Sequence, residues 1–174
     1  MVIAFHIGTD GENVVFRGRG GAILNFAETS YGGQRAVAQL IASGVFDRQP
    51  DLKVLVSEGG ATWVPFLGDR MNEIVRQQPM YIWPKLKMLP KEYMNRNVYA
   101  SFQHDETAVP TLTAMGYQNI MFGTDYPHLE GTYPHTQKVL HELFDGVDPV
   151  ASDRIRLGAF LDLFPHVGRP PEAA

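Results

Sequence analysis

Four times in 174 residues a short apolar run stops at a polar or glycine residue and gives way to a segment whose apolar positions recur at helical spacing. The runs cover residues 2–5 (ending at His6), 52–56 (ending at Ser57 and Glu58), 97–102, and 119–122 (ending at Gly123, Thr124 and Asp125). Each is too short for a helix and rich in strand-forming residues, so each reads as a buried strand. Between them, residues 30–43 place Val37, Leu40 and Ile41 on one helical face, with Gly44 just past the end. Thr62 is placed to cap a helix carrying Trp63, Leu67, Met71 and Ile74, and Asp105 one carrying Val109 and Leu112, which Gly116 stops. Val139, Leu140, Leu143 and Phe144 mark the helix after the fourth run. A last helix begins at Pro149 behind Asp148, with Leu157, Phe160, Leu161 and Phe164 inward. Neighbouring parallel strands need a crossover, which a helix supplies, so this alternation predicts an α/β chain with a parallel sheet.

The sheet is then either open or part of a barrel. A dinucleotide-binding sheet needs a phosphate loop, and Gly18-Arg19-Gly20-Gly21 neither follows a strand nor opens a helix in the required way. A complete (β/α)8 barrel takes roughly 250 residues, so four units in this length amount to about half of one. Residues 78–96 break the pattern with Pro79, Pro84 and Pro90 and read as a long structured connection, with Tyr81 and Trp83 available for burial.

Composition removes several partners. Net charge is −4 and no block of Lys or Arg is long enough to neutralise a run of phosphates, which argues against nucleic acid. With no Cys there is neither a disulfide framework nor a thiolate site, so any metal must be held by His, Asp or Glu. Residues 1–6 lack the pattern of a signal peptide and no stretch approaches a membrane span, so the expectation is a cytoplasmic protein with no membrane partner.

His6, Glu58 and Asp125 fall at or just beyond the C-terminal ends of different predicted strands, the face where barrel enzymes place their sites. Imidazole and carboxylate suit Zn²⁺ or a similar ion, which activates water near neutral pH. Taken singly, such strand-end groups more often bind loop backbone. His128, just after Asp125, is placed to contact substrate or orient the acid, with a backbone-satisfied loop histidine as the equal alternative. His104 and His135 read as capping or surface groups, and His141 and His166 as surface. Trp83 is a possible pocket wall, and Lys85, Lys87 and Lys91 form a solvated face.

Gly123-Thr124-Asp125-Tyr126-Pro127-His128, followed by Glu130-Gly131-Thr132-Tyr133-Pro134-His135, resembles the last-strand motif of the amidohydrolase-related family that includes the metal-dependent decarboxylases, the amidohydrolase 2 family. Phe5-His6-Ile7-Gly8 is similar to its fifth-strand histidine segment. Pro50-Asp51-Leu52-Lys53 through Glu58-Gly59-Gly60 to Trp63-Val64-Pro65 is similar to its sixth-strand region. The resemblance covers nearly the whole chain and thins after Asp153. It implies that residues 1–174 form one domain, the C-terminal half of a TIM-type (β/α)8 barrel, about strands five to eight. It makes His6 and Asp125 ligands of a divalent metal, with Zn²⁺ the expected ion, and has Asp125 move a proton. The family draws its other ligands from a His-x-His pair at the first strand, which this sequence lacks. The expectation is therefore a homo-oligomer or pairing with a missing N-terminal half. Two positions depart from the family: Glu58 stands where its decarboxylases carry a catalytic His, and Gly158-Ala159-Phe160 where Gly-Asn-Ala is usual.

The first functional expectation is a metal-dependent hydrolase acting on a small carbonyl-type substrate through metal-activated water, with Asp125, Glu58 and His128 catalytic. The second is non-oxidative decarboxylation of a small carboxylic acid, against which Glu58 counts. The third is a catalytically silent half-barrel or assembly module.

Overall fold

The computed structural model describes residues 1–9 and 16–169. Strands β1 (Val2–His6), β2 (Lys53–Ser57), β3 (Val98–Phe102) and β4 (Ile120–Phe122) form one sheet in sequence order. Every pairing is parallel, in a register that sets Phe5 beside Val56, Val56 beside Ala100 and Ala100 beside Ile120. The crossovers are helical: α1 (Gly21–Glu28), α2 (Tyr31–Ala42) and α3 (Val45–Arg48) after β1, α4 (Trp63–Gln77) and α5 (Pro90–Asn97) after β2, and α6 (Ala108–Thr113) after β3. Behind β4 come α7 (Thr136–Phe144), α8 (Pro149–Asp153), a π-helical turn at Arg154–Gly158 and α9 (Ala159–Leu163).

Strand alternation sends Val54, Val56, Val98, Ala100, Phe102 and Ile120 to one face, where they pack on Val37, Ile41, Val64, Tyr93 and Val109 of the helices. Tyr99 and Met121 turn to the other face and meet Ala159 and Leu163 of α9. At the N-terminal ends of the strands, buried amides stitch the layers: Asn97 Nδ2 donates to the carbonyls of Pro50 and Leu52, and Asn119 Nδ2 to those of Asn95 and Val98. Each orphan carbonyl there gains a partner away from water.

Several expectations are corrected. β1 is a strand but not a buried one: Ile3, Ala4 and His6 are exposed at an edge of the sheet, whereas the other edge, β4, is covered, Met121 lying against Ala159 and Leu163. The glycine-rich stretch opens a helix, α1, at Gly21. In α4 Trp63, Leu67 and Met71 do pack against the core, partly buried, but the fully buried positions are Val64, Pro65, Gly68 and Asn72, and Ile74 is exposed. The face is rotated by one residue because α5 lies across it. A side chain at Gly68 would meet Lys91 at 3.2 Å, and Asn72 Oδ1 accepts the Lys91 N–H at 3.0 Å. The Thr62 hydroxyl does not cap α4; it bonds the hydroxyls of Thr107 and Thr111. The 78–96 connection holds a short 3₁₀ turn and then α5, which starts at Pro90 with Glu92 Oε2 accepting the Leu89 N–H at 2.7 Å. Tyr81 and Trp83 are 76% and 88% exposed, so neither ring is buried. In the last helix Phe160 and Phe164 do pack inward, partly buried, but the fully buried positions are Ile155, Ala159 and Leu163, since the π turn inserts an extra residue into the spacing. Asp148 does cap, accepting from the N–H groups of Val150 and Ala151, and Gly44 does take the left-handed conformation (φ 69°) past the end of α2. No described helix is long and apolar enough to cross a membrane.

Candidate metal centre at the strand ends

Because the four strands run the same way, their C-terminal ends open at one rim. His6 ends β1, Glu58 follows β2, and Asp125 lies just past β4. Glu58 (φ 62°) and Asp125 (φ 54°) are the non-glycine residues with positive φ among those described. That conformation costs about 1–3 kcal/mol for a residue with a Cβ and persists only where its surroundings impose it. For Glu58 the constraint is β3: its N–H donates to the Ser101 hydroxyl at 3.0 Å. For Asp125 it is the loop that follows. His128 N–H donates to Asp125 O at 2.9 Å, Gly131 N–H to His128 O at 3.1 Å, and Thr132 N–H to Thr124 O at 2.9 Å. The loop closes so tightly that a Cβ at Gly131 would stand 2.8 Å from Asp125 O and 2.9 Å from Thr124 O, so only glycine fits.

His6 Nδ1–H donates to the Ile7 carbonyl at 3.0 Å, which leaves Nε2 facing Glu58 Oε1 at 2.8 Å. The histidine pKa is raised above 6.5: the Ile7 carbonyl favours the imidazolium most, partial burial opposes it, and the charge and hydrogen bond of Glu58 and then the charge of Asp125 add to the rise. Asp125 is thus within electrostatic reach of His6, and the two share a rim.

The Asp125 carboxylate is 4% exposed; its Oδ1 lies 3.1 Å from His128 Nδ1. Its Oδ2 is buried with no hydrogen-bond partner among the described residues. An unpaired buried carboxylate oxygen is costly, so this one calls for a cation or a donor from outside the described residues. Glu58, Asp125 and His128 each offer a donor atom, all within 4.8 Å of one another. Two carboxylates and an imidazole suit ions such as Mn²⁺ or Zn²⁺, so the donor chemistry fits a divalent metal. His6 reaches this group through Glu58.

The carboxylates face an open cleft of about 360 Å³, walled by Ile7, Phe26, Gly60, Phe102 and His104. Of the cleft's other acids, Asp105 is occupied structurally: Oδ2 accepts the Ala61 N–H and Oδ1 the Thr107 N–H. His104 is more than a surface group, since it lines the cleft and donates from Nε2 to Glu130 O at 3.1 Å. His135, His141 and His166 do not line it. Sequence reasoning passed over Ser101 and Gly131; the second sits inside the Glu130-Gly131-Thr132 motif, whereas nothing in the sequence sets the first apart.

The chain is similar to known proteins in sequence and in fold. The family described as Amidohydrolase matches residues 2–158. Over 93 residues, 53% of this chain and 26% of the relative, the sequence is 34% identical to 2-amino-3-carboxymuconate-6-semialdehyde decarboxylase of Dictyostelium discoideum. An amidohydrolase from Mycobacterium avium subsp. paratuberculosis has a similar structure, with a TM-score of 0.72 and 25% identity, over 92% of this chain and 41% of that one. So does a dihydroxybenzoic acid decarboxylase from Polaromonas sp. JS666 with bound manganese and 2-nitroresorcinol, with a TM-score of 0.57 and 22% identity, over 82% of this chain and 41% of that one. The chain spans less than half the length of each. Its parallel sheet and flanking helices form half of a TIM-type barrel. With the match running from β1 to the π turn, the chain belongs to the amidohydrolase 2 family.

Proposed function

We propose that this chain supplies part of the active site of a divalent-metal-dependent, non-oxidative decarboxylase of a small aromatic or unsaturated carboxylic acid. The carrying observation is Asp125: a buried carboxylate with one oxygen beside His128 and the other without a partner, at the wall of a substrate-sized cleft. The names of the similar proteins favour carbon–carboxylate cleavage over the hydrolysis expected from the sequence, since the Dictyostelium and Polaromonas proteins are both decarboxylases.

In this reading His6 and Asp125 are metal ligands, His6 through Nε2, because Nδ1 is committed to Ile7. A bound divalent cation supplies the positive charge that holds the substrate's oxygens against a rim otherwise negative. Asp125 would first take up a proton from solvent and then deliver it: as the carbon–carboxylate bond breaks, its electron pair stays on carbon and takes that proton, CO₂ leaves, and Asp125 returns to the carboxylate. Before the ion binds, Glu58 orients the His6 ring through Nε2 and His128 lies against the acid; ligation at Nε2 would replace the bond to Glu58. Zn²⁺, expected from the sequence, is one candidate; Mn²⁺ is equally suited to this donor set and is the ion bound by the related Polaromonas enzyme.

The test is product analysis. Supplied with Mn²⁺ and a panel of ortho-hydroxybenzoates in D₂O, the protein should release CO₂ equimolar with acid consumed and place deuterium on the vacated carbon. Acid consumed without CO₂ would reject decarboxylation.

A further inference from the structure

We propose that Glu58, Asp125 and His128 together form a divalent-cation site, with Glu58 a metal ligand rather than a proton-transfer group. This deepens the reading above and rests on it, but it concerns which residues of this chain hold the ion.

Three independent observations carry it. The first is distance: the three donor atoms lie within 4.8 Å of one another, and His128 Nδ1 is 3.1 Å from Asp125 Oδ1. Donors bound at about 2.1 Å to one ion lie roughly 3.0–3.4 Å apart at right or tetrahedral angles, so the set needs only a small contraction. The second is the unsatisfied oxygen. Asp125 is nine-tenths buried and more, and its Oδ2 has no partner among the described residues. A carboxylate held that way at a backbone conformation it does not favour is a group waiting for a ligand.

The third is charge. Glu58, Asp105, Asp125 and Glu130 line the cleft, and no Lys or Arg does among the described lining residues. Backbone N–H groups occupy both oxygens of Asp105, and Glu130 is exposed to water. Glu58 and Asp125 remain, each beside a histidine that carries charge only when protonated, and a single divalent ion balances the two carboxylates with both histidines neutral. Ser101 pins the Glu58 backbone from β3 and His6 bonds its side chain at 2.8 Å, so the carboxylate is oriented before any ion arrives.

Titration of the full chain with Mn²⁺ after chelator treatment, with the free ion read by its paramagnetic resonance signal, tests the site. One saturable Mn²⁺ per chain is expected. Glu58→Gln and His128→Ala should each weaken it by at least about tenfold, the loss that even an outer-shell partner causes. Glu130→Gln, which removes a cleft charge but no ligand, should leave it unchanged. Circular dichroism confirms that each variant is folded, and His128 is on an exposed loop where truncation spares the core. The proposal is overturned if no saturable binding is seen, if either ligand variant binds as tightly as the unaltered chain, or if Glu130→Gln weakens binding as much as Glu58→Gln. Binding with the expected losses but no CO₂ from any acid would sink decarboxylation alone. CO₂ release with Mn²⁺ binding untouched by Glu58→Gln would leave the decarboxylase and remove this site.

Discussion

β1 and β3 are both five residues long and mostly apolar, yet all of Val98–Phe102 is buried while Ile3, Ala4 and His6 of β1 are exposed. The difference is position: β3 has a strand on each side and helices across its face, whereas β1 is paired only with β2. The two strands therefore do different work. β3 supplies the core and contributes to the rim through Phe102 in the cleft wall and the Ser101 hydroxyl under Glu58. β1 adds little to the core and brings a titratable side chain to the rim. Stability and chemistry meet at the end of β2, where the next residue, Glu58, is held by β3 through its backbone and bonded by β1 through its carboxylate.

If chemistry and folding are divided in this way, the rim can be disabled without touching the fold. Asp125→Asn should lower kcat by about 10²–10⁴-fold, the usual worth of a positioned acid or base. The same change should leave the urea midpoint unchanged or raise it, because it removes a buried charge lacking a partner. A large loss of stability instead would mean that Asp125 is structural. The converse change is Phe102→Ala in β3. Phe102 is 1% exposed and packs edge-on against Phe122 at 6.0 Å between ring centroids. Its truncation should cost about 3–5 kcal/mol by urea unfolding. Ile3→Ser in β1, at 36% exposure, should stay within about 0.5 kcal/mol. Comparable losses at the two positions would show β1 covered in solution and break the contrast.

Between these extremes lies Ser101. Ser101→Ala leaves the partly buried Glu58 N–H without its acceptor and should cost about 1–3 kcal/mol. It should also loosen the left-handed turn at Glu58, so Mn²⁺ affinity falls along with stability, and Ser101→Thr, which keeps the hydroxyl, should restore both. A variant that loses stability but binds Mn²⁺ as before would show that β3 supports the fold and not the rim.

Much of this was legible in the sequence because strand-end position is written in the apolar runs. His6, Glu58 and Asp125 follow directly from where each run stops, and their convergence follows from parallel strands. What depends on long-range packing was not legible. The faces of α4 and of the last helix are set by Lys91 lying on Gly68 and by a π turn, neither of which local periodicity contains. Edge status is invisible in a run such as Val2-Ile3-Ala4-Phe5, since the same residues serve a central strand. Ser101 looks like any serine in a strand until its hydroxyl is seen beneath a strained glutamate. The chemistry of the rim admitted both hydrolysis and decarboxylation, and it took the relatives to favour the second.

The smallest effect tests β1's share most directly. His6 has a pKa raised above 6.5 by the Ile7 carbonyl, and further by Glu58 and Asp125, against the effect of its partial burial. A raised value in the folded chain means that its contribution to stability is full below about pH 6.5 and is lost as pH rises through the folded value. In the metal-free chain the melting temperature should therefore decline gently over that window, by a small amount because the side chain is 55% exposed. Glu58→Gln should flatten the decline. Divalent metal should reverse its sense: ligation needs an unprotonated Nε2, so binding releases a proton and tightens as pH rises. A metal-loaded chain that still loses stability with rising pH in that window would mean that His6 keeps its proton and lies outside the coordination sphere.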